Sequence, residues 1–202
     1  MQEMTTEQTI IQAANKIFLE NGYAGTRMQD IADEAKINKA MLHYYFKNKE
    51  TLFRMIFLEN FGLLIPLINQ VIEAKTSIKE KLLNIAELYI DLMQSNPKLP
   101  LFVINELSNH SDSFIAAIKD SQNELPNFKQ LIQEVKDAVK KKEIAPIDPE
   151  LLIVGVLALS IFPVIAKQML QILFSENDKS MDDILQRRKA FINDFIQKYI
   201  SN

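Results

Sequence analysis

The chain has 202 residues, 48% of them hydrophobic and 24% charged, with a net charge of −3 and neither cysteine nor tryptophan. That apolar fraction can bury a substantial core in one large or two small domains without covalent staples. The missing cysteines exclude disulfides, thiol redox sensing and thiolate-bound zinc, and with His43 and His110 the only histidines, no metal site is expected.

Long stretches at helical spacing and only four glycines predict an all-α protein of about nine helices. The opening MQEMTTEQTIIQAANKIF lacks the basic leader and apolar core of a signal peptide, so a cytoplasmic location is expected. The first helix runs from about Thr6 to Glu20, with Ile10, Ala13, Ala14, Ile17 and Phe18 on one stripe and Gly22 marking its end.

Thr26 and Gln29 have the spacing of a capping box and open a second helix. Met28, Ile31, Ala32 and Ala35 share its buried face, and Asp30, Asp33 and Glu34 turn to water. After the turn Lys36-Ile37-Asn38, Asn38 caps a third helix, on which Leu42, Tyr45 and Phe46 face inward. Lys39, Ala40, Met41, His43 and Tyr44 hold the opposite arc. Lys36, Lys39, Lys47 and Lys49 lie in a stretch without Asp or Glu, a local patch that attracts phosphate despite the acidic total. Two helices joined by so short a turn match the helix-turn-helix, whose second helix enters the major groove.

The run IADEAKINKAMLHYYFKNKETLF, with Asn21-Gly22-Tyr23 and Thr26 before it, resembles the DNA-binding signature of TetR-type (TetR/AcrR) transcriptional regulators over residues 7–54. The resemblance implies an N-terminal three-helix helix-turn-helix DNA-binding domain, residues 1–48, followed by a helical effector-binding and dimerisation bundle, residues 49–202. It implies that Thr26 and Lys49, each at a helix start, contact phosphates. Asn38, Lys39, Ala40, Met41, His43 and Tyr44 occupy the reading positions, with His43-Tyr44 inverting the family's frequent order. Lys36, in the turn, stands where many members carry Gly, which asks a residue with a Cβ for a left-handed conformation at a cost of about 1 kcal/mol.

Beyond the motif a long helix is expected from Lys49 toward Ala74. Gly62 and Pro66 weaken one turn of it, either as a hinge or as a plain break between two packed helices. Ser77 with Glu80 forms a capping box for the next helix, which Asn96-Pro97 ends. Leu101–Asn109, Ser113–Gln122 and Pro126–Lys142 follow as amphipathic helices, and Lys140-Lys141-Lys142 is read as a solvated end favoured by the helix dipole. Glu106 and His110, at i and i+4, are read as a solvated pair rather than a metal or ligand site. Asp148-Pro149-Glu150 starts an apolar helix, Leu151 to Ala166, which falls short of the roughly 20 residues a membrane span needs and therefore belongs in a core or a subunit interface. Ser180 with Asp183 starts the last helix, whose stripe is Leu185, Ile192, Phe195, Ile196 and Tyr199. The last two helices, about 148–174 and 180–200, are expected to form a homodimer face, with no membrane partner.

Phe61, Met93, Phe102, Phe114, Phe128 and Phe162 are candidates to line an effector pocket, although apolar residues in such stripes are more often core. No nucleophile with its base, metal-ligand cluster or phosphate-binding glycine loop is present, so neither an enzyme nor a cofactor is expected. The expected function is a dimeric DNA-binding regulator. By resemblance it is a repressor of a palindromic operator, released by a small apolar or amphipathic effector. The alternative is an effector-independent architectural DNA-binding dimer.

Overall fold

In the computed structural model every regular element among the described residues, 4–109, 125–174 and 178–200, is a helix. They are α1 (Thr6–Gly25), α2 (Met28–Glu34), α3 (Lys39–Tyr45), α4 (Lys49–Gly62), α5 (Ile65–Glu73), α6 (Ile78–Ser95), α7 (Leu99–Asn109), α8 (Phe128–Lys140), α9 (Pro149–Ile165), α10 (Lys167–Phe174) and α11 (Asp178–Ile200). The expected helix Ser113–Gln122, with His110 and Phe114, lies outside the described residues.

Local capping sets most of these starts. Gln8 N donates to Thr5 Oγ1 at 3.2 Å and Thr5 N to Gln8 Oε1 at 2.9 Å, a capping box that opens α1. Ser77 and Glu80 form the predicted box at α6. Asp148 Oδ1 accepts the Glu150 and Leu151 amides at 2.9 and 3.0 Å, with Pro149 in the first helical position of α9. The last helix begins at Asp178, two residues before the expected Ser180.

Two compact units divide the chain, Met1–Leu63 with Lys98–Asn123, and Leu64–Pro97 with Glu124–Asn202. In the first, α1 packs on α2, α4 and α7, and α2 on α3. Its centre is aromatic: Phe53 meets Phe18 and Tyr23 at ring separations of 4.8 Å, and Phe102 of α7 reaches Phe53 at 5.8 Å and Phe57 at 5.9 Å. The packing unit thus includes α4 and α7, whereas the expected functional division falls at residue 48.

In the second unit α6 is central, packed by α5, α8, α9 and α11. Ile85, Ile90, Leu131, Val135, Leu152, Val156, Ile192 and Ile196 form its core. The stripe Ile192 and Ile196 expected on a dimer face is therefore spent inside the unit, because α11 packs that side on α6 and α9. The last helix turns Phe191 outward instead.

Two expected helices are each broken in two. The stretch from Lys49 divides at Leu63 and Leu64, and Pro66 falls in the first turn of α5, where its missing N–H leaves no helical bond unmade. This stretch, Lys49–Glu73, is long and apolar enough by composition to cross a membrane, and its buried residues pack within the two units. The apolar helix α9 has 17 residues and carries Pro163 inside it, and α10 leaves it at a bend of 78°.

Candidate nucleic-acid interface

The turn between α2 and α3 is closed by backbone bonds that the sequence sets locally. Ile37 N donates to Ala32 O at 3.0 Å and Lys36 N to Asp33 O at 3.1 Å, the paired bonds of a Schellman motif. Lys36 stands in the left-handed position of that motif with φ of 56°, as its replacement of the usual glycine implies. Asn38 then caps α3, its Oδ1 accepting Met41 N at 2.8 Å. Asn48 does the same for α4 through Thr51 N, also at 2.8 Å.

This frame turns the seven residues of α3 into two faces. Leu42 and, just beyond the helix, Phe46 are buried against the head, while Lys39, Ala40, Met41, His43 and Tyr44 are exposed. Tyr44 is 84% exposed. Tyr45, expected inside, is exposed as well, and its ring meets that of Tyr44 edge-on at 5.4 Å. A helix this short has room for one inward column, and Leu42 and Phe46 fill it. His43 Nδ1 stands 3.4 Å from Lys47 O, a donation open to the Nδ1–H tautomer.

The flanking positions differ from expectation at one end. Thr26 does not cap α2. It is 1% exposed, and its hydroxyl donates to Gly22 O at 2.8 Å. Gly22, with φ of 66° and ψ of −178°, breaks the ladder of α1 and releases the carbonyl that Thr26 takes. The cap of α2 is made one residue later, where Arg27 N donates to Asp30 Oδ2 at 2.9 Å, and Gln29 bonds Asp33 at 2.7 Å instead of reaching back. Arg27 is exposed at the start of α2, where Asp30, three residues on, carries the local signal for the cap. At the other end the Lys49 ammonium lies 4.2 Å from the Tyr23 ring centroid, which holds it at the start of α4.

Of the expected pocket residues, Phe114 lies outside the described residues, Phe61 and Phe102 belong to the first unit, and Met93, Phe128 and Phe162 belong to the second. Phe61 stacks on Phe57 at 5.9 Å, and Phe102 belongs to the aromatic core of the first unit. Met93 is buried on α6, and Phe128 packs on the core of the second unit. Phe162 is 51% exposed, in line with Leu151 and Val154 on the outer side of α9, so it does not line an interior pocket. Glu106, expected in water, is 5% exposed and accepts the Tyr23 amide at 3.0 Å. Among the described residues no group of three or more His, Asp or Glu side chains is placed to hold a metal ion.

Residues 10–56 match the sequence model of the family described as bacterial regulatory proteins, tetR family. The chain is 32% identical over 98 residues to the fatty acid metabolism regulator protein of Bacillus subtilis, a match covering 48% of this chain and 50% of that protein, so it spans half of that relative's length. The hemolysin II transcriptional regulator HlyIIR shares the fold with a TM-score of 0.66 and 26% identity, over 92% of this chain and 96% of its own. The transcriptional regulator FadR from Bacillus subtilis, solved in complex with stearoyl-CoA, has a TM-score of 0.64 at 21% identity, over 94% of this chain and 97% of its own, which is a likeness of fold. The α2–α3 motif lies within the residues that match the tetR-family model, and the helical fold is similar to that of HlyIIR.

Proposed function

We propose that the protein is a dimeric repressor that binds a palindromic operator and is released from it by a small amphipathic effector. The observation that carries this reading is the outward arc of α3: Lys39, Ala40, Met41, His43 and Tyr44 stand clear of the head while Leu42 and Phe46 hold the helix to it. Such an arc suits base edges in a major groove. Lys36, Asn38 and Lys49 flank it as phosphate and register contacts. Thr26, buried, supports that end from within, and Arg27 takes the exposed place beside it.

Residues 1–48 would serve as the DNA-binding domain and 49–202 as the effector and dimer domain. The homodimer reading is supported by the outer face of α9, where Leu151, Val154 and Phe162 are exposed, and by Phe191 on α11. Closed pairing of such a face gives a two-fold dimer, and its symmetry gives a palindrome. The effector reading is supported by the fold shared with the regulator solved with stearoyl-CoA. A cytoplasmic location follows from a DNA-bound role.

Selection of bound duplexes from random DNA tests the proposal. A two-fold symmetric motif is expected, with sedimentation showing a dimer. Binding indifferent to sequence would overturn the operator, and operator affinity unmoved by any amphipathic ligand would favour the architectural alternative.

A further inference from the structure

We propose that Arg188 anchors an anionic group, a carboxylate or phosphate carried on an apolar body, within the helical unit built around α6, α9 and α11. Six polar or charged side chains are buried among the described residues. Five have their acceptors or donors in the protein: Thr26 on Gly22 O, Asn60 on Asn15 and Ile56 O, Lys81 on Ile72 O and Glu134, Glu106 on Tyr23 N, and Ser160 on Val156 O. Arg188 is the exception. It is 6% exposed, and only Nη1 is used, donating to Leu185 O at 3.0 Å. Nε and Nη2 are buried and have no acceptor among the described residues.

Those two nitrogens form one edge of the guanidinium, the side-on fork whose parallel N–H groups fit both oxygens of a carboxylate or phosphate. An arginine cannot escape burial by losing its proton, so the fork calls for a negative partner. Burial pulls this guanidinium below its ordinary value, and nearby Asp91 opposes the pull. Asp91 itself is directed to Lys189 at 3.1 Å. Met181, Ile192 and Ile196 lie on the same side of α11 and are buried, so the guanidinium stands in apolar surroundings. The inference names the chemical class of the effector and takes its regulatory meaning from the proposed function, although the site stands without that meaning.

The probes are dodecanoate, dodecyl phosphate and neutral dodecanol, below their micellar concentrations, titrated into the full-length protein by calorimetry. At least one anion is expected to bind about ten-fold or more tightly than dodecanol. Arg188→Met should abolish the difference, and Arg188→Lys, which keeps charge but not the fork, should lose most of it. Without ligand, Arg188→Met should melt no lower than the parent, because it removes donors that lack an acceptor. Absence of any anion preference in the parent overturns the proposal, and so does a ligand-free Arg188→Met protein that melts well below it. Asp91→Asn reproducing the Arg188→Met losses would assign the guanidinium to Asp91 instead. Dissociation of the dimer on Arg188→Met, without anion preference, would assign the fork to a carboxylate of a second copy. Arg188-dependent anion binding that leaves operator binding unchanged would sustain the site and count against the effector reading alone.

Discussion

Glu106 Oε1 accepts the amide of Tyr23 at 3.0 Å, and the same oxygen lies 3.0 Å from where a Cβ at residue 22 would stand. One carboxylate from α7 thus reads both the amide and the missing side chain at the break of α1. Tyr23 in turn lies under the Lys49 ammonium. Glu106→Ala is expected to cost about 1–3 kcal/mol by urea unfolding, since a part-buried amide loses a charged acceptor that is itself buried. Gly22→Ala should cost about as much, because its φ and ψ belong to a region that only glycine occupies freely. The double variant should lose less than the sum, as truncating Glu106 makes room for the added methyl. A Glu106→Ala change within about 0.5 kcal/mol of the parent would refute this role.

Lys36→Gly should move two properties in opposite directions. Stability should rise by roughly 0.5–1 kcal/mol, because φ of 56° strains a residue with a Cβ and not glycine. Affinity for any duplex should fall at low salt, with one cation removed beside α3. Thermal melting and a salt titration of binding measure the two, and a lower melting temperature would contradict the strain.

Lys81 is buried on α6 and bonds both Ile72 O and the Glu134 carboxylate of α8. Glu134→Ala should destabilise by about 1–3 kcal/mol, discounted from a fully buried pair because Glu134 is part exposed. Pairing it with Lys81→Met should recover most of the loss, since no buried charge then remains. Denaturant midpoints of the two variants decide it; a double variant no better than Glu134→Ala would mean that the ammonium is not the cause.

Lys49→Ala should weaken binding to all sequences alike and lower the salt slope by about 1, as expected for a phosphate contact. Tyr44→Ala should leave the slope alone and change which sequences are selected. Its stability should stay within about 0.5 kcal/mol of the parent. An unchanged salt slope for Lys49→Ala would remove it from the phosphate contacts and leave only its place over Tyr23.

What was legible in the sequence is what depends on neighbours three or four residues apart. The caps by Asn38, Ser77 and Asp148 and the left-handed Lys36 are of this kind. Thr26 was misread because its hydroxyl answers a carbonyl that only the break at Gly22 makes available. Tyr45 was misread because periodicity on a helix of seven residues does not say where the supporting helices end. Glu106 meets a partner 83 residues away, and the stripe of α11 faces α6, pairings that no local pattern encodes. The α2–α3 motif was readable early because its charge, caps and faces all lie within one short segment.

The separation of faces on α3 also bears on how such a helix changes over generations. Leu42 and Phe46 carry most of the burial, while Lys39 to Met41, His43 and Tyr44 are exposed. Mutations on the outer set meet little selection for folding, since exposed substitutions rarely cost much stability. Recognition can therefore drift one residue at a time without passing through an unfolded ancestor, and a duplicated copy could acquire a new target while keeping the same scaffold.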